Sequence, residues 1–332
     1  MSAAHNLITD VLGVRVGHAD DGRLASGATV VVFDEPAVAA ADLRGGGPGT
    51  RESALLDPAM TVERIDAIAL AGGSAFGLDV ASGAQAYLRE RGRGFAVRTV
   101  RVPIVPAAIL FDLLNGGDKD WGRYPPYREL GYQATAAAAA EFALGSAGAG
   151  LGATTVDLKG GTGSASATTP GGLTVGALAV VNAAGSAVIG GGPHFWAGGC
   201  ERDGEFGGQG LPASVAPQAL AFRAKGQPGE NTTLVVVATD ATLSKPQARR
   251  LAVMAQDGLA RALRPIHTPL DGDIVFAAAT GARSLPDPIF GLAELGALAA
   301  DVVARAIARG VYEARALTFP GALPAWHDKF GS

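Results

Sequence analysis

Apolar runs of strand length alternate with helical patterns over most of the chain. Five such runs, each bounded by polar or glycine-rich residues, cover residues 28–33, 65–71, 174–182, 233–239 and 274–280. Apolar residues with helical spacing cover residues 78–91, 133–144, 245–263 and 292–312. This order predicts a mixed α/β fold whose strands are mostly buried.

The positions of proline and glycine support these assignments. The helical pattern at 245–263 has Pro246 in its first turn, where a missing N–H costs little. The apolar run at 65–71 leads into Gly72 and Gly73 and then into the next helical pattern. A strand, a glycine turn and a helix are therefore expected in succession.

One segment breaks the pattern. Residues 193–230 are rich in glycine, proline and glutamine and show little periodicity, so we expect a long loop. Long loops inside a compact domain are uncommon unless they have a function, and this one ends directly at Asn231. Because no repeat of fixed length and no clear boundary divides the chain, residues 1–332 are expected to form a single domain.

The composition favours a compact protein that acts on small molecules. Of the 332 residues, 48% are hydrophobic, 17% are charged and 48 are glycine, which argues against disorder. The formal net charge is −4 and no lysine- or arginine-rich run occurs, which argues against nucleic acid or an anionic membrane as the main partner. The expected partners are small molecules or short peptides.

The cysteine content and the chain start bear on the compartment. Cys200 is the single cysteine, so an internal disulfide is impossible and the chain suits a reducing compartment. We interpret Cys200 as a buried structural thiol. Residues 1–10 lack the features of a secretory signal, and no apolar stretch is long enough to span a membrane. These observations predict a soluble cytoplasmic protein.

The first candidate for chemistry lies where the irregular segment meets the valine-rich run at 233–239. Thr232 follows Asn231 there, so it sits where a loop enters a sheet. If the peptide bond before Thr232 breaks, its hydroxyl gains a free α-amine as neighbour, and that amine can act as general base. One residue would then supply both nucleophile and base. Taken alone, Asn-Thr-Thr more often simply begins a strand.

A second candidate follows the helical pattern at 245–263. Asp271 and Asp273 flank Gly272, which permits an unusual backbone turn, so both carboxylates are expected to point into one pocket. Paired carboxylates hold an ammonium or a hydroxyl and shift its pKa. Two alternatives stay open: a solvated turn, or a metal loop with His267 as third ligand, although no further acidic cluster completes such a site. His267 is more typical of a structural histidine than of a general base.

Two glycine turns, at residues 45–47 and at Gly72 and Gly73, have backbone N–H groups that suit an anion or carboxylate. We expect Gly72 and Gly73 to bind substrate, with close packing as the other interpretation. Neither turn fits a phosphate loop or a dinucleotide fingerprint, so no cofactor is predicted. The Gly-x-Ser-x-Gly elbow of serine hydrolases is absent as well.

Longer stretches of the sequence resemble a known family. From Asn231 to Thr280 the chain carries Asn-Thr-Thr, the valine-rich run, Arg-Pro-Ile-His-Thr-Pro-Leu-Asp-Gly-Asp and Phe-Ala-Ala-Ala-Thr. Gly-Val-Arg-Val-Gly-His at 13–18, Leu-Ala-Gly-Gly at 70–73 and Thr-Val-Gly-Ala-Leu at 174–178 extend the similarity. They resemble the self-processing peptidases typified by the L-aminopeptidase/D-amino-acid esterase, a family that includes β-peptidyl aminopeptidases and nylon oligomer (6-aminohexanoate oligomer) hydrolases.

The resemblance implies an αββα sandwich like that of the amino-terminal-nucleophile hydrolases, with two sheets between helical layers. It also implies self-cleavage between Asn231 and Thr232 into a large fragment, residues 1–231, and a small fragment, residues 232–332. Serine is the nucleophile of the aminopeptidase branch, whereas Asn-Thr-Thr and Asp-Gly-Asp here are similar to the nylon oligomer hydrolase branch. Thr232 therefore receives the role of the nucleophile.

Further roles follow from the same resemblance. Asn182 would help to hold the oxyanion, and Tyr124 would line the substrate pocket. Asp271 and Asp273 would position and polarise the nucleophile.

The family's active-site lysine usually follows a Gly-Ala-Gly segment by several residues. Here Lys159 is our choice for it, although the aligned position can also be read as Asp157. The predicted activity is amide hydrolysis by Thr232 through an acyl-enzyme, on short peptides or small amides, without metal or cofactor. Hydrolysis of 6-aminohexanoate oligomers is the alternative within this class, and a small-molecule-binding protein that never matures is the alternative outside it. The apolar surplus and the resemblance favour a homo-oligomer.

Overall fold

Eleven strands and five α-helices build the part of the chain that the computed structural model describes, residues 5–226 and 230–331. The strands are β1 (Val14–Asp21), β2 (Ser26–Leu43), β3 (Gly49–Arg51), β4 (Arg64–Ala71), β5 (Phe95–Val97), β6 (Val100–Val102), β7 (Ala107–Ile109), β8 (Thr162–Thr168), β9 (Thr174–Asn182), β10 (Thr232–Ala241) and β11 (Ile274–Arg283). The helices are α1 (Val80–Glu90), α2 (Tyr127–Ala136), α3 (Lys245–Ala262), α4 (Phe290–Tyr312) and α5 (Trp326–Phe330).

A long strand joins two halves of one hydrogen-bonded sheet. The strand order is β3-β7-β4-β2-β11-β10-β9-β8, and β1 pairs with β2. The first part of β2 pairs with β1 and β4, whereas the part from Val38 onward also pairs with β11. The register between β2 and β4 shifts between Val32 and Ala37, on either side of Pro36. The irregularity lies where proline cannot donate to the ladder.

Three hydrophobic cores place the two halves face to face between helices. Val235 of β10 lies in a core with α3 and α4. Because neighbouring side chains of a strand point to opposite faces, Val236 lies instead in a central core with Ile68 of β4. Ala69 of β4 then faces a third core beneath α1 and α2. The order helix, sheet, sheet, helix is the predicted αββα sandwich.

Most of the predicted elements are confirmed. The strands at 65–71, 174–182, 233–239 and 274–280 are β4, β9, β10 and β11, and the helices at 78–91, 245–263 and 292–312 are α1, α3 and α4. The run at 28–33 lies in the first half of β2, whose second half was not predicted. That second half is rich in alanine and carries Pro36, so it lacks a strong strand pattern.

One predicted helix is wrong. Instead of residues 133–144, α2 covers Tyr127–Ala136, and the alanines that follow are not helical. Val16 of β1 and Ala139 exchange two backbone hydrogen bonds of 3.0 Å. The alanine-rich sequence favours a helix only by its propensity, and this long-range pairing with β1 overrides it.

The irregular segment is confirmed over the residues that the structure describes; residues 227–229 of the prediction lie outside them. Two short 3₁₀ helices, Trp196–Cys200 and Pro217–Leu220, interrupt it. It is held to α4 by the ion pair of Glu205 with Arg305 and contains Cys200, which is partly buried. In the described part of the chain, no helix combines the length and apolar character that crossing a membrane requires.

Candidate active site

The peptide bond between Asn231 and Thr232 lies at the start of β10. Thr232 pairs directly with Asn182, the last residue of β9. Thr232 is 3% exposed, and Asn231 is fully buried. The strand pairing thus brings together two residues that the sequence separates widely and that the family resemblance assigned to one site.

Two hydrogen-bond donors converge on the carbonyl oxygen of Asn231. The Thr232 hydroxyl donates to it at 2.5 Å, and the backbone N–H of Gly272 donates to it at 2.7 Å. A hydrogen bond to a carbonyl oxygen draws electrons from the carbonyl carbon and stabilises negative charge that develops on the oxygen. The hydroxyl next to this bond therefore faces a polarised carbonyl group.

Gly272 is required for space rather than for a special backbone turn. A Cβ atom on this residue would lie 2.7 Å from the Thr232 hydroxyl oxygen and 2.8 Å from the carbonyl oxygen of Gly47. Its φ is outside the left-handed region, so the unusual turn predicted for Gly272 is wrong. The close approach of β10 to the Asp271-Gly272-Asp273 loop explains the glycine.

The two carboxylates of this loop are almost fully buried, at 1% exposure each. Asp273 accepts from the backbone N–H of Thr233 at 2.8 Å and contacts the His267 ring at 2.9 Å. Asp271 accepts from the Ala184 N–H at 3.2 Å and from Thr268. Burial and the nearby Asp273 carboxylate raise the pKa of Asp271.

Both carboxylates thus hold the backbone around the site. Within the described part of the chain, neither forms a hydrogen bond to the Thr232 hydroxyl. The glycine turn at 45–47 supports them, because Gly47 N–H donates to the carbonyl oxygen of Asp271 at 2.8 Å. No group of three or more His, Cys, Asp or Glu side chains suited to share a metal ion occurs among the described residues.

The side chain of Asn182 is held by four hydrogen bonds. Its Oδ1 accepts from Thr154 N–H at 3.0 Å and from the Lys225 ammonium at 3.1 Å. Its Nδ2 donates to the carbonyl oxygens of Phe111 and Glu230, both at 3.1 Å. The amide N–H therefore points toward the chain that precedes the Asn231–Thr232 bond.

Three of the residues that bond the Asn182 side chain, Thr154, Lys225 and Glu230, line a cavity of about 250 Å³. Its walls include Asp112, Asn115, Thr154, Lys159, Lys225 and Glu230, together with Leu317 and residues 320–323. The cavity thus extends to Glu230, just before the buried Asn231–Thr232 bond. Tyr124 is 76% exposed and is not among the lining residues, so the structure does not bring it into this group.

Lys159 is a buried lysine in the cavity wall, at 1% exposure. Its ammonium donates to the carbonyl oxygens of Gly150, Ala153 and Gly160 at 2.7 to 2.9 Å. Burial lowers its pKa to about 7. Asp157, the alternative at this position, instead accepts from the Ser186 hydroxyl at 3.0 Å and lies outside the cavity wall.

Asp112 is a site residue that the sequence did not reveal. It accepts from the Ser26 hydroxyl at 2.6 Å and from Gly73 N–H at 2.7 Å. Burial raises the pKa of its carboxyl group. The Gly72-Gly73 turn thus holds a carboxylate of this chain rather than facing the cavity itself. A lone acid just after the short strand β7 was the available sequence signal.

Lys225 is the second residue that the sequence missed. It comes from the irregular segment, and its ammonium donates to the Thr154 carbonyl and hydroxyl oxygens at 2.7 and 2.8 Å. Burial lowers its pKa to about 7. No pattern marks this lysine, because its neighbours in the sequence have no periodicity that predicts a position.

Comparison with solved structures identifies the type of fold. The structure resembles the L-aminopeptidase D-Ala-esterase/amidase from Ochrobactrum anthropi, a variant of the Ntn-hydrolase fold, with a TM-score of 0.66. The two share 22% sequence identity, and the match covers 96% of this chain and 90% of the other. The fold is therefore of the Ntn-hydrolase type, as the family resemblance implied.

The sequence then identifies the family. The chain belongs to Peptidase family S58, whose sequence profile matches residues 6–322. It is 45% identical to a protein named uncharacterized aminopeptidase in Mycobacterium tuberculosis (strain ATCC 25618 / H37Rv), over 98% of both chains. It is 30% identical to the 6-aminohexanoate-oligomer endohydrolase of Kocuria sp. (strain KY2), over 83% of this chain and 76% of that one. The protein is a hydrolase that acts on amide bonds.

Proposed function

We propose that this hydrolase cleaves itself between Asn231 and Thr232 and then uses Thr232 as an amino-terminal nucleophile on short peptides or small amides. The observation that carries the proposal is the pair of donors on the Asn231 carbonyl oxygen. One of them, the Thr232 hydroxyl, is the proposed nucleophile, and the other is the N–H of Gly272.

Self-cleavage starts from this arrangement. The Thr232 hydroxyl oxygen bonds to the carbonyl carbon of Asn231, and the Gly272 N–H stabilises the resulting oxyanion. The carbon–nitrogen bond then breaks, and the hydroxyl proton ends on the Thr232 nitrogen. Water hydrolyses the resulting ester to a carboxylate on Asn231. This step restores the hydroxyl beside a free amine.

Turnover repeats the chemistry on a substrate. The new amine accepts the hydroxyl proton while Thr232 attacks the substrate carbonyl carbon, and it later gives a proton to the leaving amine. In this proposal, Asn182 stabilises the oxyanion once its N–H is no longer held by the Glu230 carbonyl oxygen. Water then releases the acyl group as an acid.

The acidic side chain in the cavity wall favours substrates with a free amino group. Asp112 supplies a buried carboxylate in the cavity wall, and a carboxylate is the natural partner of a substrate ammonium. At about 250 Å³ the cavity is below the usual range of ligand pockets, which favours small residues. The 45% identity to a protein named aminopeptidase favours this substrate class over 6-aminohexanoate oligomers.

Denaturing mass spectrometry of the purified protein tests maturation. We expect fragments of residues 1–231 and 232–332, and amino-terminal sequencing of the smaller should begin Thr-Thr-Leu-Val. Thr232→Ala should stay uncut and inactive, whereas Thr232→Ser should keep part of both activities because an oxygen nucleophile remains. An intact chain with full activity contradicts the proposal.

Substrate preference separates the alternatives. We expect amides of free amino-terminal residues to react at least about tenfold better than their acetylated forms, since acetylation removes the charged partner of Asp112. Faster hydrolysis of 6-aminohexanoate oligomers would favour the oligomer hydrolase. A chain that stays single, hydrolyses none of these amides and binds small molecules would be the non-maturing binding protein.

A further inference from the structure

Lys225 contacts the proposed oxyanion residue, although it lies in the irregular segment. We propose that Lys225 is a positioning residue that fixes the Asn182 amide for catalysis by holding its oxygen atom. This inference rests on the proposed function, because it assumes that the Asn182 N–H stabilises the oxyanion.

The contacts of Lys225 account for all three of its protons. Its Nζ donates to the Thr154 carbonyl and hydroxyl oxygens and, at 3.1 Å, to Asn182 Oδ1. An ammonium has three donors and no acceptor. Two residues therefore accept all three hydrogen bonds of the Lys225 ammonium, and one of them is Asn182, the proposed oxyanion residue.

This contact fixes the direction of the Asn182 amide. The oxygen accepts from two donors, Lys225 Nζ and Thr154 N–H. A rotated amide would place its NH₂ group against both donors. The Thr154 N–H and one of the three Lys225 N–H groups would then lack an acceptor, which is costly in a buried site. The NH₂ group is thus directed to the other side, where Glu230 now accepts. A cation on the amide oxygen also polarises the N–H groups and strengthens them as donors.

The two cavity lysines have different partners. Lys159 donates to three backbone carbonyl oxygens and so braces the chain around residues 150–160. Lys225 instead holds the Asn182 side chain directly. Of these two lysines, Lys225 is therefore the one whose loss would release the amide.

The backbone of Lys225 is held at both of its polar groups. Its N–H donates to the Ala184 carbonyl oxygen at 3.0 Å, just beyond the end of β9. Its carbonyl oxygen accepts from the Asn231 side chain at 2.9 Å. Because Lys225 precedes the proposed cleavage point, it stays covalently part of the large fragment in the mature enzyme.

A double-mutant cycle tests the proposal. We expect Lys225→Met to lower kcat about 10- to 100-fold with KM within about threefold, since removal of a complete oxyanion donor costs about 10²- to 10³-fold. In the Asn182→Ala background, Lys225→Met should change kcat by less than about twofold, because residues that act through each other are not additive. Lys225→Arg, which keeps a charged donor, should recover most of the loss.

Arg223→Gln is the matched control. Arg223 lies on the same segment and pairs with Asp157 at 3.5 Å without contacting Asn182. This variant should keep kcat within about twofold of the parent. A comparable loss in Arg223→Gln would show that anchoring of the segment, rather than the ammonium, matters.

Two further results would overturn the proposal: a Lys225→Met enzyme with parental kcat, or full additivity with Asn182→Ala. Equal thermal midpoints exclude a folding defect. For slowly maturing variants, kcat is calculated per cut chain, with the cut fraction measured by denaturing mass spectrometry. Failure of the proposed function is recognised separately, because the parent itself would then remain uncut or Thr232→Ala would stay active.

Discussion

The most direct prediction concerns Gly272→Ala, which adds one methyl group beside Thr232, the proposed nucleophile. The new Cβ would lie 2.7 Å from the Thr232 hydroxyl oxygen, about 0.7 Å short of ordinary contact at 3.4 Å. It cannot retreat, because the Gly47 carbonyl oxygen is 2.8 Å away and the Pro48 Cα is 3.3 Å away. The hydroxyl or the loop must therefore move.

A misplacement of this size has a large effect on the rate. A shift of about 1 Å at a reacting group costs about 10²-fold, or about 2.7 kcal/mol in activation free energy. Gly272 N–H also holds the Asn231 carbonyl oxygen, so a displaced loop weakens oxyanion stabilisation at the same time. We expect self-cleavage of Gly272→Ala to be at least about 100-fold slower than that of the parent.

The assay is the appearance of the two fragments on a denaturing gel after synthesis is stopped. Gly22→Ala is the control, because Gly22 has no atom within 4 Å of its added Cβ and no positive φ. Overpacking by one methyl group costs about 1–3 kcal/mol of stability, so a denaturant titration must show that Gly272→Ala is folded. A folded Gly272→Ala that matures at the parental rate would refute the placement of the hydroxyl against this loop.

Two further predictions use the charged groups. Asp271→Asn and Asp273→Asn should each slow maturation or turnover strongly, because these carboxylates hold the backbone on both sides of the site. EDTA should leave the parent enzyme active. Loss of activity to EDTA with recovery by zinc or manganese would instead favour a metal loop. Burial lowers the pKa of Lys159 from 10.5 to about 7, so between these values the unfolded chain holds a proton that the folded chain lacks. The free energy of unfolding should therefore rise with pH across this window in the parent and rise less in Lys159→Met. Urea titrations at pH 6 and pH 9 measure the two changes. Equal changes in unfolding free energy would contradict the lowered pKa of Lys159.

The elements that the sequence predicted correctly have strong local patterns. The valine-rich β10 is buried along its whole length, and α3 and α4 carry long apolar patterns of helical spacing, so local sequence alone locates these three elements. The second half of β2 and the end of α2 depend on partners far along the chain. The pairing of Ala139 with Val16 decides that α2 ends at Ala136, and no local property of the alanines records that contact.

The same distinction applies to the site. Thr232, Asn182 and the acidic loop carry family motifs at strand ends, and strand pairing brings them together. Lys225 and Asp112 reach the cavity through the paths of irregular segments. Sequence patterns predict the direction of a side chain only in regular elements, which is why these two residues could not be placed.

The proposed self-cleavage would have a second consequence beyond making an amine. The Asn182 N–H that the proposed mechanism offers to a substrate oxyanion is held here by the Glu230 carbonyl oxygen. The chain before the bond therefore occupies a donor that turnover requires. If cleavage lets residues 230–231 withdraw, the same event creates the base and frees the oxyanion donor. An uncut chain would then lack both groups, which explains on physical grounds why activity should follow maturation rather than precede it.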